Sequence, residues 1–178
     1  MTQEIILKKI SVFKTSVNDH LLKTILPYIE STKDNYQSKT WDCNIKTSFK
    51  TYQNILHEVK EFKYIRKAIE EKIDEILEDK PFYIFESWLN LYDKGGYQEF
   101  HKHDLYGSGG SGVLYLSQEN SAIEFSIFPE DKREKIIPKQ CDLLLFDNDI
   151  HHRVLDSKNQ ERMSLAFNFK IHEFKIYA

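Results

Sequence analysis

Apolar and polar residues alternate at the start of the chain. Residues 4–13 carry several β-branched side chains in that alternation and read as a strand. The period then changes. Behind Asn18-Asp19, a pair able to cap a helix, Leu21, Leu22, Ile25, Leu26 and Ile29 step by three and four, which predicts a short helix. Residues 31–48 are polar and turn-like. The longest stripe follows: Ile55, Val59, Phe62, Ile65, Ile69, Ile73, Ile76 and Leu77 predict one helix over about residues 52–79. Its apolar face belongs to a core, and its Lys and Glu residues form a solvated face.

Past Pro81 the texture changes again. Short β-rich runs succeed one another: FYIFESWLNLY, GYQEFHKH, GVLYLS, AIEFSIF, EKIIP, CDLLLFD, IHHRVLD and RMSLAFNFKI. Lys94-Gly95-Gly96, the stretch from Gly107 to Gly112, and Asp156 to Gln160 separate some of them as turns. Many short strands with little helix between them predict an antiparallel sandwich, barrel or jelly roll. The expected fold class is α+β, with a jelly-roll core over residues 81–171 and an N-terminal strand and helices over residues 1–80. No repeat, low-complexity tract or linker divides the chain, so residues 1–178 are expected to form a single domain.

Composition narrows the class. A chain of 178 residues is long enough to bury a core without disulfides. Hydrophobic residues make up 40% and charged residues 30%, as in an ordinary globular protein. A net charge of −3 and an isoelectric point near 6.2 argue against a nucleic-acid binder that works by bulk electrostatics. Cys43 and Cys141 fit no zinc spacing and read as two buried free thiols in a reducing compartment. The N-terminus has no apolar signal region, and no apolar run nears the roughly 20 residues of a membrane span. The expected location is cytoplasmic.

The candidate chemistry lies in "YQEFHKHDLYGSGGSGVLYLS", residues 97–117. Residues i and i+2 of a strand point to one face, so His101 and His103 project together. Two such imidazoles suit Fe(II), Zn or Ni. Alone the pair is a weak signal. A third ligand is available from His151 or His152, at the start of a strand after a turn. Arg162 lies in a largely apolar strand, where a guanidinium calls for an anion. Asn90 and Tyr92 share a strand face just upstream. The loop Gly107-Ser108-Gly109-Gly110-Ser111 lies beside the histidines and is a candidate lid.

The order of these segments resembles the iron(II)/2-oxoglutarate dioxygenase superfamily. Asn90-Leu91-Tyr92-Asp93-Lys94-Gly95 followed by His101-Lys102-His103 is similar to its N-x-Y-x-x-G…H-x-D opening. "GVLYLS" with "IFPED" resembles the prolyl-hydroxylase segment whose tyrosine helps hold 2-oxoglutarate, which maps onto Tyr115. "FDNDIHHRV" is similar to the distal His-x-Val stretch and selects His152 over His151. "ERMSLAF" resembles the R-x-S strand, mapping onto Arg162 and Ser164. Small 2-oxoglutarate/iron(II) oxygenases of marine bacteria and phages share the H-x-H signature. The likeness covers about residues 82–171.

The resemblance implies a double-stranded β-helix with iron(II) held by His101, His103 and His152. It implies 2-oxoglutarate as co-substrate, with Arg162 and Tyr115 on its remote carboxylate and Asn90, Tyr92 and Ser164 completing the pocket. The activity implied is an oxygenase, in first place a hydroxylase that releases succinate and CO2. Its substrate is a small molecule or a peptide. The usual triad has a carboxylate where this chain has His103. Asp104 comes one residue late, and a regular strand would turn it to the opposite face unless a bulge re-aimed it. His103 is the favoured ligand.

Two other readings compete. A cupin-type metal protein shares Gly95-x5-His101-x-His103, but the glutamate and the Pro-x-Gly of that pattern are missing. A non-catalytic jelly-roll module would carry the histidines without the chemistry. Of the remaining residues, His151 reads as a neighbour of the ligand, and His20, His57 and His172 as surface groups. Trp41 and Trp88 read as core or pocket wall. Glu124 has no evident partner, and Lys132-Arg133 reads as a charged turn.

Overall fold

The computed structural model describes residues 3–7, 10–38, 43–78, 80–103, 108–118, 121–127, 132–157 and 160–172. Trp41, Asp104 and Gly107 lie outside these residues. The N-terminal alternation forms two strands rather than one. β1 (Gln3–Leu7) and β2 (Ile10–Ser16) pair antiparallel with Leu7 opposite Ile10. No Gly, Pro, Asn or Asp marks the reversal, so the pattern gave no sign of it.

The first helix forms as expected. In α1 (Asp19–Thr32) the Asn18 side chain accepts a hydrogen bond from the His20 N–H at 2.9 Å, and Leu22, Ile25 and Ile29 are buried. The polar stretch after it contains two short strands, β3 (Gln37–Ser38) and β4 (Lys46–Thr47).

The long helix is broken. Its stripe is divided among α2 (Ile55–Glu58), a 3₁₀ turn at Lys60–Phe62, and α3 (Lys63–Leu77). Val59 leaves the helical region, with φ −111° and ψ 116°. The cause is anchorage to the next strand. Leu56 N–H donates to Ser87 Oγ at 3.0 Å, and the Asn54 side-chain amide donates to the Ile84 carbonyl at 2.9 Å. Tertiary bonds of this kind override a helical periodicity. The stripe still packs: Ile55, Phe62, Ile65, Ile69 and Ile73 are all buried in one cluster.

Eight strands follow: β5 (Phe82–Tyr92), β6 (Gln98–His101), β7 (Gly109–Tyr115), β8 (Ile123–Ile127), β9 (Lys132–Ile136), β10 (Asp142–Asp147), β11 (His152–Val154) and β12 (Arg162–Ile171). They form two antiparallel sheets. The large one has the order β1-β2-β10-β7-β12-β5-β4-β3, and the small one β6-β11-β8-β9. The expected α+β class holds as a mixture of helices and antiparallel sheet.

Each face of the large sheet has its own task. One face, with Leu89, Leu91, Leu114, Leu143, Leu145, Leu165 and Phe167, packs against the helices. The other faces the small sheet, where Tyr115, Leu144 and Phe146 meet Ile123, Phe125 and Ile136. Period-two alternation assigns residues to these faces. One irregularity interrupts it. Asn168 pairs with Glu86, but Phe169 pairs with Ile84, so Phe85 is an extra residue in β5. This bulge lets Ile84 join the helix-side core while Glu86 shares the opposite face with Trp88, Asn90 and Tyr92.

The glycine-serine stretch departs from its expected role. Gly109 to Ser111 are strand residues in β7, paired with β12 on one side and, at Gly110 and Ser111, with β10 on the other. Glycine is needed there for close approach. A Cβ on Gly112 would lie 2.1 Å from the Phe167 ring, and one on Gly110 would lie 2.5 Å from that of Phe169. Both rings lie over backbone that no larger residue could provide. Lys132-Arg133 likewise opens a strand instead of making a turn. Cys43 is only half-buried, while Cys141 is buried, and both are free thiols.

Gly112→Ala should therefore destabilise the fold by about 1–3 kcal/mol through overpacking. Denaturant unfolding checks this; a variant as stable as the parent would mean that the Phe167 ring yields freely.

Candidate metal and co-substrate site

Two of the histidines lie on neighbouring strands of the small sheet. His101 ends β6 and pairs directly with His152, the first residue of β11. His103 lies just past β6, where its N–H donates to the Asn148 carbonyl at 3.1 Å. One ring nitrogen from each of His101, His103 and His152 falls within 4.8 Å of the others. Among the described residues this is the single cluster of His, Cys, Asp or Glu placed to hold a metal ion. His151 is exposed and outside it.

Two rings are oriented by backbone. The Nδ1–H of His101 donates to the Glu99 carbonyl at 2.8 Å, and that of His152 to the Ile150 carbonyl at 2.9 Å. Each such bond leaves Nε2 as a lone-pair donor, the form a metal requires. The His152 ring is buried and packs edge-on against Phe146, with centroids 4.8 Å apart. Burial, and the His101 and His103 imidazoles beside it, hold its pKa well below the ordinary histidine range. His103 lies parallel to the His152 ring at 5.3 Å and nearly parallel to the Trp88 indole at 6.0 Å. Three imidazoles, two of them oriented to present Nε2, fit a borderline divalent metal such as Fe(II).

A cavity between the sheets extends from this cluster. His101, His103 and His152 line it together with Asn90, Tyr92, Tyr115, Arg162 and Ser164, so all eight residues singled out in the sequence share one space. Strand register explains this. Tyr92 stands opposite Arg162, Asn90 opposite Ser164, and Ser164 opposite Tyr115 across β5, β12 and β7. Arg162 is 5% exposed, and its guanidinium lies 4.1 Å from the centroid of the Tyr92 ring. The Tyr92 hydroxyl donates to Gln98 Oε1 at 2.6 Å. Two buried polar atoms in the cavity wall, Trp88 Nε1 and Asn90 Oδ1, have no hydrogen-bond partner among the described residues. Such atoms fit a polar occupant.

Several lining residues escaped the sequence analysis: Gln98, Ser111, Val113, Phe146, Val154 and Ala166. Alternation could have supplied three of them. Val113 and Ser111 are two and four before Tyr115, and Ala166 is two after Ser164. The expectation for Glu124 is corrected. It is buried on the outer face of the small sheet, with Arg153 Nε at 2.5 Å, Lys135 Nζ at 3.4 Å and Arg133 at 4.0 Å. Cross-strand register brings these cations to it, since Arg153 and Lys135 flank Glu124 directly. His20, His57 and His172 are exposed as expected. His57 does have a partner, an Arg66 guanidinium nitrogen at 3.0 Å.

No family model and no curated protein matches the sequence. Solved structures do match. A prolyl-4-hydroxylase of Pseudomonas putida superposes with a TM-score of 0.70 at 14% identity, over 94% of this chain and 96% of that one. The non-heme α-ketoglutarate-dependent epimerase SnoN of nogalamycin biosynthesis gives 0.72 at 9% identity, over 93% and 82%. HygX of Streptomyces hygroscopicus, solved with nickel, 2-oxoglutarate and hygromycin B, gives 0.65 at 12%, over 94% and 85%. The chain has the fold of the 2-oxoglutarate/iron(II) oxygenases. At such identities the likeness is one of fold, and the ligands named belong to those proteins.

The neutral His152 ring has a consequence for stability. Below pH about 6.5 the unfolded chain takes up a proton at this position that the native ring resists. Stability conferred by neutral His152 is therefore lost as the pH falls from 7 to 5. Thermal unfolding of the metal-free protein at pH 7, 6 and 5 should show this decline, with a shallower slope for His152→Gln. Equal slopes would assign the decline to other groups.

Proposed function

We propose that the protein is a single-domain iron(II)- and 2-oxoglutarate-dependent oxygenase. Its β5–β12 strand order is then that of a double-stranded β-helix. The observation that carries this reading is the pairing of two features in one cavity: three convergent imidazoles, and a buried arginine held over a tyrosine ring.

In this reading His101, His103 and His152 hold the metal. Arg162 and Tyr115 bind the remote carboxylate of 2-oxoglutarate. A guanidinium contact of that kind is charge-assisted and fixes the orientation of its ligand. The Tyr92 ring restrains the guanidinium, and Tyr92 is itself tied down through Gln98. Asn90 and Ser164 supply polar contacts along the wall. Val113, Ile123, Phe146 and Ala166 exclude water from the space between. When bound, iron and 2-oxoglutarate supply the oxidation of a substrate C–H bond, with succinate and CO2 as co-products.

Hydroxylation is the simplest outcome. SnoN, described as an epimerase on this fold, is a reminder that the bound substrate decides the product. A small molecule or a peptide is the proposed substrate class, and the net charge of −3 disfavours nucleic acid. Free Cys43 and Cys141 suit a cytoplasmic location.

The test is anaerobic titration with Fe(II) and then 2-oxoglutarate, read by the visible metal-to-ligand charge-transfer band. The band should form in the parent and vanish in His101→Ala. In Arg162→Ala the affinity for 2-oxoglutarate should fall roughly 10- to 100-fold, as for loss of a charged hydrogen bond. His103→Ala and Asp104→Ala report which residue supplies the remaining ligand. Iron binding without a band would favour a cupin-type metal protein. No iron binding would favour a non-catalytic module.

A further inference from the structure

The third imidazole differs from the other two. His101 and His152 each point Nδ1–H at a backbone carbonyl, but His103 Nδ1 lies 3.0 Å from the Asn168 side-chain nitrogen Nδ2. Asn168 is 1% exposed and is clamped at both ends. Its Nδ2 donates to Glu86 Oε1 at 2.6 Å, and its Oδ1 accepts from Ser111 Oγ at 2.6 Å. Turning the amide over would set Oδ1 against the Glu86 oxygen, acceptor against acceptor. The clamp thus fixes Nδ2 toward the histidine, and His103 Nδ1 must accept. In the neutral ring the proton then sits on Nε2. As the structure stands, one nitrogen of His103 is engaged by Asn168 and the other carries a proton.

We infer that Glu86 is a positioning residue which, through Asn168, holds His103 back from the metal and makes it a gated third ligand beside a preset His101–His152 pair. The inference rests on the reading of the three histidines as a metal site. Ligation through His103 Nδ1 displaces the amide. Ligation through Nε2 moves the ring proton to Nδ1, where, among the described residues, a turned Asn168 carbonyl is placed to receive it. Glu86 opposes both routes, and no net proton is gained or lost by the ring in either. Glu86 meets Asn168 because the two pair directly across β5 and β12, on the face that Trp88, Asn90 and Tyr92 share. Trp88, stacked on His103, restrains the ring from another side.

A simple charge argument has the opposite sign. Removing a nearby carboxylate should weaken cation binding by Coulomb's law. Removing the clamp should strengthen it. In Glu86→Gln the new amide can satisfy Asn168 in either orientation, so the affinity for Ni(II), measured by calorimetry, should rise roughly three- to tenfold, as for release of one hydrogen bond. Asn168→Leu removes the clamp outright, should shift affinity the same way, and serves if Glu86→Gln does not fold. A structural role alone would not move the second readout. Nitrogen NMR of histidine-labelled metal-free protein should show Nδ1–H tautomers for His101 and His152, and Nε2–H for His103. His103 should become mixed in Glu86→Gln or Asn168→Leu.

A shared tautomer in the parent would overturn the inference, as would weaker or unchanged Ni(II) binding in both variants. If neither parent nor variants bind Ni(II), the metal reading fails. The tautomer pattern still decides whether the clamp exists.

Discussion

A β-sheet has two faces, and the large sheet of this protein needs them to be opposite in character. One must be apolar enough to seat three helices. The other must carry arginine, asparagine and tyrosine into the cavity shared with the small sheet. Period-two geometry meets both demands in the same strand. In β12, Leu165 and Phe167 join the helix-side core, while Arg162, Ser164 and Ala166 line the cavity. Most of the site follows from that division, because neighbouring strands place their inward residues in rows across the sheet.

Those rows differ along the cavity. Tyr92 and Arg162 face each other in one row, Asn90, Ser164 and Tyr115 in the next, Trp88, Ala166 and Val113 in a third, and Glu86, Asn168 and Ser111 in the fourth. Cationic character lies at the first row and an acidic, amide-rich character at the last, where His103 is bonded. The middle rows are mostly apolar or aromatic. A ligand with a carboxylate at one end and metal-binding oxygens at the other matches such a gradient.

Much of this was legible in the sequence, for a physical reason. His101 and His103 share a face because a strand alternates, and Arg162 was conspicuous because a charge in an apolar strand must be answered. The order of the motifs then led to Tyr115, His152 and Ser164. Other features depend on contacts that no local pattern records. Val59 breaks its helix because Asn54 and Leu56 are tied to β5, some thirty residues later in the chain. Gly109 to Ser111 read as a loop because glycine usually signals flexibility; here Gly110 and Gly112 leave room for Phe169 and Phe167. The partners of Glu124 lie on two other strands, and only the register brings them together. Glu86 lies two before Trp88 and four before Asn90, so alternation alone places it inward; its bond to Asn168 depends on the register across β5 and β12, which no local pattern records.

The bulge at Phe85 makes the strand a matter of parity. Residues from 86 onward in β5 obey one odd–even rule and residues up to 84 the other, and Phe85 is the step between them. Deleting Phe85 alone would remove the step and leave Ile84 and Glu86 as neighbours on opposite faces, so both layers would keep their residues. Drawing Phe85 into an unbroken ladder would instead put Ile84 and Glu86 on one face: either Ile84 would enter the polar cavity, or the carboxylate would be driven into the oily layer beneath the helices. Elsewhere in this strand a single insertion or deletion would turn every residue beyond it to the wrong face, even though it would leave the backbone pairing itself intact.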